Sequence, residues 1–144
     1  MALFAQFIKP NLEELRELTG QRIGTFGDVV EAAQKLRAGG VGAVLTSLGK
    51  DGALLVDATG VLYANATVDK PLSTVGAGDA TLAGFVSVGG TTADSAEALT
   101  EAVAWGAAAV ALPGSAMPTP GDIDRSRVQL DRNPDLARPL EGPA

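Results

Sequence analysis

The chain contains neither cysteine nor histidine. Disulfides, thiolate nucleophiles and zinc sites of the usual Cys/His kind are therefore excluded. So are a Ser-His-Asp triad and any imidazole base. Acid–base chemistry falls to Asp, Glu, Lys, Tyr or backbone groups. Aromatic residues make up only 4% of the chain. The core must then be built from Ala, Val, Leu and Gly, with elements packed closely. No apolar run reaches the roughly 18 residues that a membrane-spanning helix needs. The first ten residues lack a basic start and a small-residue cleavage site, which argues against a signal peptide. The expectations are a cytoplasmic location and no membrane partner. Positive charge is also scarce: 11 Lys and Arg face 17 Asp and Glu, a net charge of -6. A nucleic-acid partner is not expected from such a balance.

What remains is a globular composition. Hydrophobic residues are 46% and charged residues 19% of 144, enough for one domain with a real core. Residues 5–9 read as a short buried strand. Asn11 is placed to cap a helix through Leu12, Leu15 and Leu18, which Gly20 ends. Thr25 or Asp28 opens a second helix, with Val29, Ala32, Ala33 and Leu36 at helical spacing, and Gly39-Gly40 stops it. Strands are expected over residues 42–48, 53–56 and 60–64, with turns at 49–52 and 58–60. A loop covers 69–75. A helix follows from about 80 to 88, and Thr92 or Asp94 caps a long Ala-rich helix ending near Pro113. Residues 122–130 are expected to form one more short helix, and 133–144 a disordered tail. This order predicts a layered α/β sheet with an antiparallel edge.

The sharpest local feature is Ser73-Thr74-Val75-Gly76-Ala77-Gly78-Asp79-Ala80. Two glycines and an acid at the start of a helical pattern aim free backbone N–H groups at one point. The helix dipole adds positive charge there. The arrangement suits a phosphoryl group in transfer, and Asp79 could take a proton from an attacking hydroxyl. Thr81 stands where a dinucleotide fingerprint needs its third glycine, and no Gly-Lys-Ser/Thr of a Walker A loop follows. The plainer alternative is a Gly-rich turn with Asp79 as a dipole partner. Asn11 and Glu14 likewise also read as a capping box. Ser47 also reads as a turn residue, Asp51 as a turn former and Trp105 as core. Arg125, Arg127, Arg132 and Arg138 read as a solvated tail.

Three motifs stand in order: Lys9-Pro10-Asn11 with Glu14; Ser47-Leu48-Gly49 with Gly52; and Thr74-Val75-Gly76-Ala77-Gly78-Asp79. Ala107-Ala108-Ala109-Val110 and Leu112-Pro113-Gly114 follow, then Pro118-Thr119-Pro120. Together, over residues 8–124, they resemble the C-terminal signature of the ribokinase-like (PfkB) carbohydrate kinases. The variants are most similar to the 1-phosphofructokinase and tagatose-6-phosphate kinase branch. The resemblance implies the C-terminal part of a three-layer α/β/α fold, with the N-terminal half and lid absent. Residues 1–124 would be that portion of the kinase domain, and 125–144 a polar tail. It implies ATP, Mg²⁺ and a sugar phosphate such as fructose 1-phosphate as ligands, with phosphoryl transfer to a hydroxyl. Asp79 would be the base, and Gly76, Ala77 and Gly78 the anion hole. Asn11 and Glu14 would sit near Mg²⁺. Ser47 and Gly49 would meet the nucleotide's phosphate side, with Gly52 tightening the turn. Ala107 to Pro113 would line the adenine pocket. Two alternatives stay open: a non-catalytic nucleotide-binding fragment, and a kinase for a nucleoside or vitamin. A truncated sheet would expose an edge, so self-association through it, as a homo-oligomer, is a further expectation.

Overall fold

The computed structural model describes residues 7–68, 71–72, 76–92, 94–113 and 117–140. The strand order of the sheet is β1(Phe7–Ile8), β2(Ala43–Ser47), β3(Ala53–Asp57), β4(Gly60–Ala66) and β5(Val128–Asp131). β1 and β2 run parallel, and β2 and β3 antiparallel. The mixed sheet and the helices between its strands are the expected α/β class. The chain divides into two compact units, one of residues 1–63 with 131–144 and one of residues 64–130. Among the described residues, no helix is long and apolar enough to cross a membrane.

In the first unit, α1(Leu12–Thr19) and α2(Phe26–Ala38) start at matching devices. Asn11 and Glu14 form one capping box, Thr25 and Asp28 the other. Each satisfies two of the helix donors that have no intrahelical partner. Gly20 closes α1 in the left-handed region at φ 67°, where a Cβ would be strained. The apolar faces converge: Leu15, Phe26, Val29 and Ala32 are buried with Leu48, Leu54 and Tyr63. Ala33 packs with Val44 and Val56. β2 and β3 are buried along almost their whole length, which suits the apolar Ala43-Val44-Leu45 and Ala53-Leu54-Leu55-Val56 stretches.

In the second unit, α3(Ala77–Ser87) and α4(Ser95–Val110) pack on each other. Small residues permit this approach. A Cβ on Gly84 would lie 2.5 Å from the carbonyl oxygen of Glu101, and one on Gly106 would lie 2.4 Å from Thr81 Oγ1. Phe85 on α3 and Leu99 on α4 are fully buried. Asp94 caps α4 by accepting from Glu97 N at 3.1 Å.

Several expectations are corrected. α3 begins at Ala77 and not near residue 80, because Gly76 in the left-handed region already turns the chain into the helix. Residues 122–130 form no α-helix. They make 3-10 turns at Pro120–Asp122 and Arg125–Arg127 and then β5, whose half-buried and exposed residues alternate, the period of a strand. Residues 133–140 are not disordered. Their carbonyls accept from the first N–H groups of α2, at 2.9 Å from Phe26 N to Arg138 O and 2.8 Å from Gly27 N to Leu136 O. Arg138 is no solvated residue, since its guanidinium lies over the rings of Phe26 and Tyr63. Asp51 is more than a turn former: it is buried beside Arg138. Arg125 pairs with the buried Glu101. Residues 69–70, 73–75 and 114–116 lie outside the described residues, and with them most of the expected 69–75 loop, the first three residues of the glycine motif and Gly114.

Candidate functional site

The first unit carries the first two motifs. β1 and β2 are parallel, so Asn11 and Ser47 emerge from the same end of the sheet. They form a β-bridge, and Ser47 N donates to Pro10 O at 3.1 Å. Ligands in open α/β sheets gather at the carboxyl ends of strands. Asn11 Oδ1 accepts from Glu14 N at 2.8 Å, and Asn11 N donates to Glu14 Oε1 at 3.0 Å. Both residues are exposed. The capping box thus sets their geometry while leaving hard oxygen atoms at the surface. Such a donor set fits Mg²⁺ that keeps most of its waters. It is too sparse for a dedicated protein cage, and the described residues hold no cluster of three acidic ligands.

Behind Ser47 the chain makes a 3-10 turn at Gly49–Asp51. Gly49 has φ 61° and Gly52 φ 99°, both positions that strain any residue with a Cβ. Asp51 N donates to Leu48 O at 3.1 Å, and Leu48 N to Gly52 O at 2.8 Å. The glycines therefore let the backbone fold back on itself at once. Tyr63 Oη donates to Asp51 O from below the turn.

The second unit carries the glycine–acid motif. Gly76 is the N-cap of α3 with φ 84°, and it offers no side-chain cap. Ala80 N donates to Gly76 O at 3.0 Å. The earlier N–H groups of this turn belong to the set that a helix cannot satisfy internally. Here they converge with the positive end of the dipole. Gly78 and Asp79 are exposed on this turn. Gly78 is helical and has no positive φ. Ala107 is half-buried on α4, and Pro113 is exposed just beyond its end. Leu72 N donates to Val110 O at 2.8 Å, tying the chain before the motif to the end of α4.

Three supporting contacts escaped the sequence reading. Thr81 Oγ1 donates to Ala77 O at 2.8 Å and rests beside Gly106. Glu101, with a side chain only 6% exposed, takes a bidentate ion pair from Arg125, whose NH2 lies 2.8 Å from Oε1. The carboxylate raises the pKa of the guanidinium, by hydrogen bond first and charge second. Asp51 and Arg138 form the third. In each case the partners lie far apart in sequence or at a spacing without a signature. Only the glycines inside α3 and α4 gave a signal, since a glycine inside a helix usually marks close packing.

A family description, pfkB family carbohydrate kinase, matches residues 1–121. A 1-phosphofructokinase of Haloferax volcanii is 42% identical over 115 residues, which cover 80% of this chain and 38% of that protein. A 1-phosphofructokinase of Rhodobacter capsulatus is 36% identical over 120 residues, covering 83% of this chain and 38% of that protein. The crystal structure of phosphofructokinase-2 from Escherichia coli in complex with potassium superposes with a TM-score of 0.77 at 32% identity. It covers 83% of this chain and 39% of that one. The chain thus spans well under half the length of these relatives, and its fold matches the ribokinase-like α/β arrangement of part of a larger structure.

Proposed function

The chain belongs to the pfkB family of carbohydrate kinases, and from that premise we propose that it carries the nucleotide-side machinery of an ATP-dependent phosphoryl transfer. The acceptor is a hydroxyl of a sugar phosphate, fructose 1-phosphate or one like it. The observation that carries this reading is the uncapped N-terminus of α3 at Gly76, with Asp79 exposed in the same turn.

The chemistry follows from that turn. Phosphoryl transfer needs positioning and charge neutralisation more than covalent participation. The N–H groups of the 76–78 turn are fixed before the reaction and stabilise charge as it grows on the transferred group. The Asp79 carboxylate accepts the proton of the attacking hydroxyl. Ser47 and Gly49 hold the phosphate side of the nucleotide, and Gly52 keeps their turn tight. Ala107 and Pro113 line the adenine side. Asn11 and Glu14 would hold Mg²⁺. When bound, the ion would supply charge neutralisation of the phosphates. The enzyme acts in the cytoplasm.

A second reading, nucleotide binding without turnover, is favoured by one fact: the chain spans 38% of its 1-phosphofructokinase relatives. Turnover requires an acceptor held in place as well as the nucleotide. The deciding experiment measures ATP consumption with Mg²⁺ and a panel led by fructose 1-phosphate and tagatose 6-phosphate. Turnover that falls about 10²–10⁴-fold in Asp79→Asn, at unchanged ATP affinity, supports the base assignment. Equal turnover in that variant overturns it. ATP binding without turnover supports the second reading.

A further inference from the structure

Residues 131–140 lie beyond the stretch that the family description matches, yet they are built into the first unit. Asp135 starts a turn in which its Oδ1 accepts from Ala137 N at 3.0 Å and its carbonyl from Arg138 N at 3.1 Å. The turn delivers the carbonyls of Leu136 and Arg138 to Gly27 N and Phe26 N, and Leu140 N donates to Gly24 O at 2.9 Å. These N–H groups open α2 and have no intrahelical partner. Gly27 is bare for this reason: a Cβ there would lie 2.9 Å from Leu136 O. The backbone of the segment is thereby pinned on both sides of Arg138.

The pinned backbone delivers one side chain inward. The Arg138 guanidinium lies 4.8 Å from the Phe26 ring centre and 5.3 Å from that of Tyr63. Its NH1 donates to Tyr63 Oη at 3.4 Å, and its NH2 lies 4.0 Å from Asp51 Oδ1. The Asp51 side chain is 1% exposed, against 38% for Arg138. A carboxylate so buried is tolerated only with a cation and hydrogen bonds near it. A planar guanidinium can stack on two rings and face a carboxylate at once, which an ammonium cannot.

We infer that Arg138 is a positioning residue for the Ser47–Gly52 turn: the C-terminal segment is a strap that holds buried Asp51, and through it the backbone of the turn, in its nucleotide-ready form. The inference rests on the reading above that this turn meets the nucleotide phosphates. The turn has two glycines at positive φ, closed by its own backbone hydrogen bonds. Asp51 is its buried anchor, held at the carbonyl by Tyr63 Oη and faced at the carboxylate by the Arg138 guanidinium at 4.0 Å.

The test uses the 144-residue chain, with Arg138→Ala and Arg138→Lys. Amide hydrogen exchange is read at Asp51 and Gly52, with Leu45 and Leu55 in the buried strands as controls for folding. Mg-ATP affinity is read in parallel. Arg138→Ala is expected to speed exchange at Asp51 and Gly52 about tenfold, with the strand amides unmoved. Arg138→Lys falls between, because it keeps the charge and loses the stack. Mg-ATP affinity drops several-fold in the same order. Unchanged exchange at the turn overturns the strap. So does a rise spread equally to Leu45 and Leu55, which marks general support of the fold. A looser turn with wild-type Mg-ATP affinity overturns the positioning role. A wild-type chain that binds no Mg-ATP sinks the functional reading and the nucleotide part of the inference together. The exchange readout needs no nucleotide and decides the strap separately.

Discussion

Thr81 and Gly106 meet where α3 and α4 approach, and the contact exists because Gly106 has no side chain. The Thr81 hydroxyl donates to Ala77 O one turn back, and a Cβ at position 106 would lie 2.4 Å from Thr81 Oγ1. The first turn of α3, which holds Ala77, Gly78 and Asp79, thus lies against Gly106 of α4 through Thr81 and Ala77 O. Gly84 makes a second close approach, at 2.5 Å to the Glu101 carbonyl and 2.7 Å to the Trp105 ring.

The two glycines are expected to differ in cost when changed to alanine. At Gly84 the obstacle is backbone, which cannot give way without parting the helices. Gly84→Ala should destabilise the chain by about 2–3 kcal/mol in urea unfolding. At Gly106 the obstacle is a hydroxyl that can rotate, and alanine regains some helix propensity, so the net loss should be about 1 kcal/mol. Thr81→Ala removes the obstacle. The Gly106→Ala penalty should then vanish in the double variant, a coupling that a double-mutant cycle reads directly. Additive losses would show that the contact is not the cause.

Glu101 and Arg125 give a second expectation. The carboxylate is almost wholly buried, and the guanidinium is 58% exposed. Truncating the arginine leaves a buried charge without its cation, whereas neutralising the glutamate removes the need for one. Arg125→Ala should lower stability by about 1–2 kcal/mol after allowing for the exposed partner. Glu101→Gln should cost less than Arg125→Ala. The reverse order would mean that packing and not charge decides the site.

Acid should act on the start of α2. Asp28 Oδ2 accepts from Gly24 N at 2.9 Å and from Thr25 N at 3.1 Å. These backbone donors, Gly24 first, hold its carboxyl below the ordinary value of 3.8. The folded chain therefore keeps the carboxylate to lower pH than the unfolded chain does. Its stabilisation is complete above about pH 4 and is lost as pH falls through the lowered folded value. The thermal midpoint of Asp28→Ala should consequently depend less steeply on pH than wild type between about pH 4 and pH 2. Equal slopes would exclude this carboxylate as a contributor.

Much of the fold was legible because its signals are local. Asn11 and Thr25 as caps, Gly20 and Gly39 as stops, and the apolar runs of β2 and β3 each depend on a few adjacent residues. The α/β class follows from their order. The candidate motifs were legible for the same reason, since a glycine at positive φ and an acid in a first turn are short-range features. Arg138 and Asp51 were not legible. A surface-like arginine in a Pro-rich segment and an acid in a Gly-rich turn look solvated until the chain brings them within 4.0 Å. α3 starts three residues before the expected position, because Gly78, which looks like part of a turn, already lies within the helix that Gly76 opens. Residues 128–131 alternate as a strand does, but four residues are too few for periodicity to outweigh the surrounding polar residues.

Glu14 allows its capping role to be separated from its proposed role near Mg²⁺. Its Oε1 accepts from Asn11 N at 3.0 Å, and glutamine can make the same bond, because a capping box accepts either residue. Glu14→Gln should thus leave the unfolding free energy within about 0.5 kcal/mol of wild type. The charge is lost, however, and Mg²⁺ prefers anionic oxygen. If Glu14 holds the ion through water, the Mg²⁺ concentration needed for half-maximal nucleotide binding should rise about 10-fold or more, the scale typical of outer-shell changes. Glu14→Ala loses both functions and should be destabilised by about 1 kcal/mol as well. A Glu14→Gln chain with unchanged stability and unchanged Mg²⁺ dependence would leave Glu14 a capping residue and remove it from the proposed metal site.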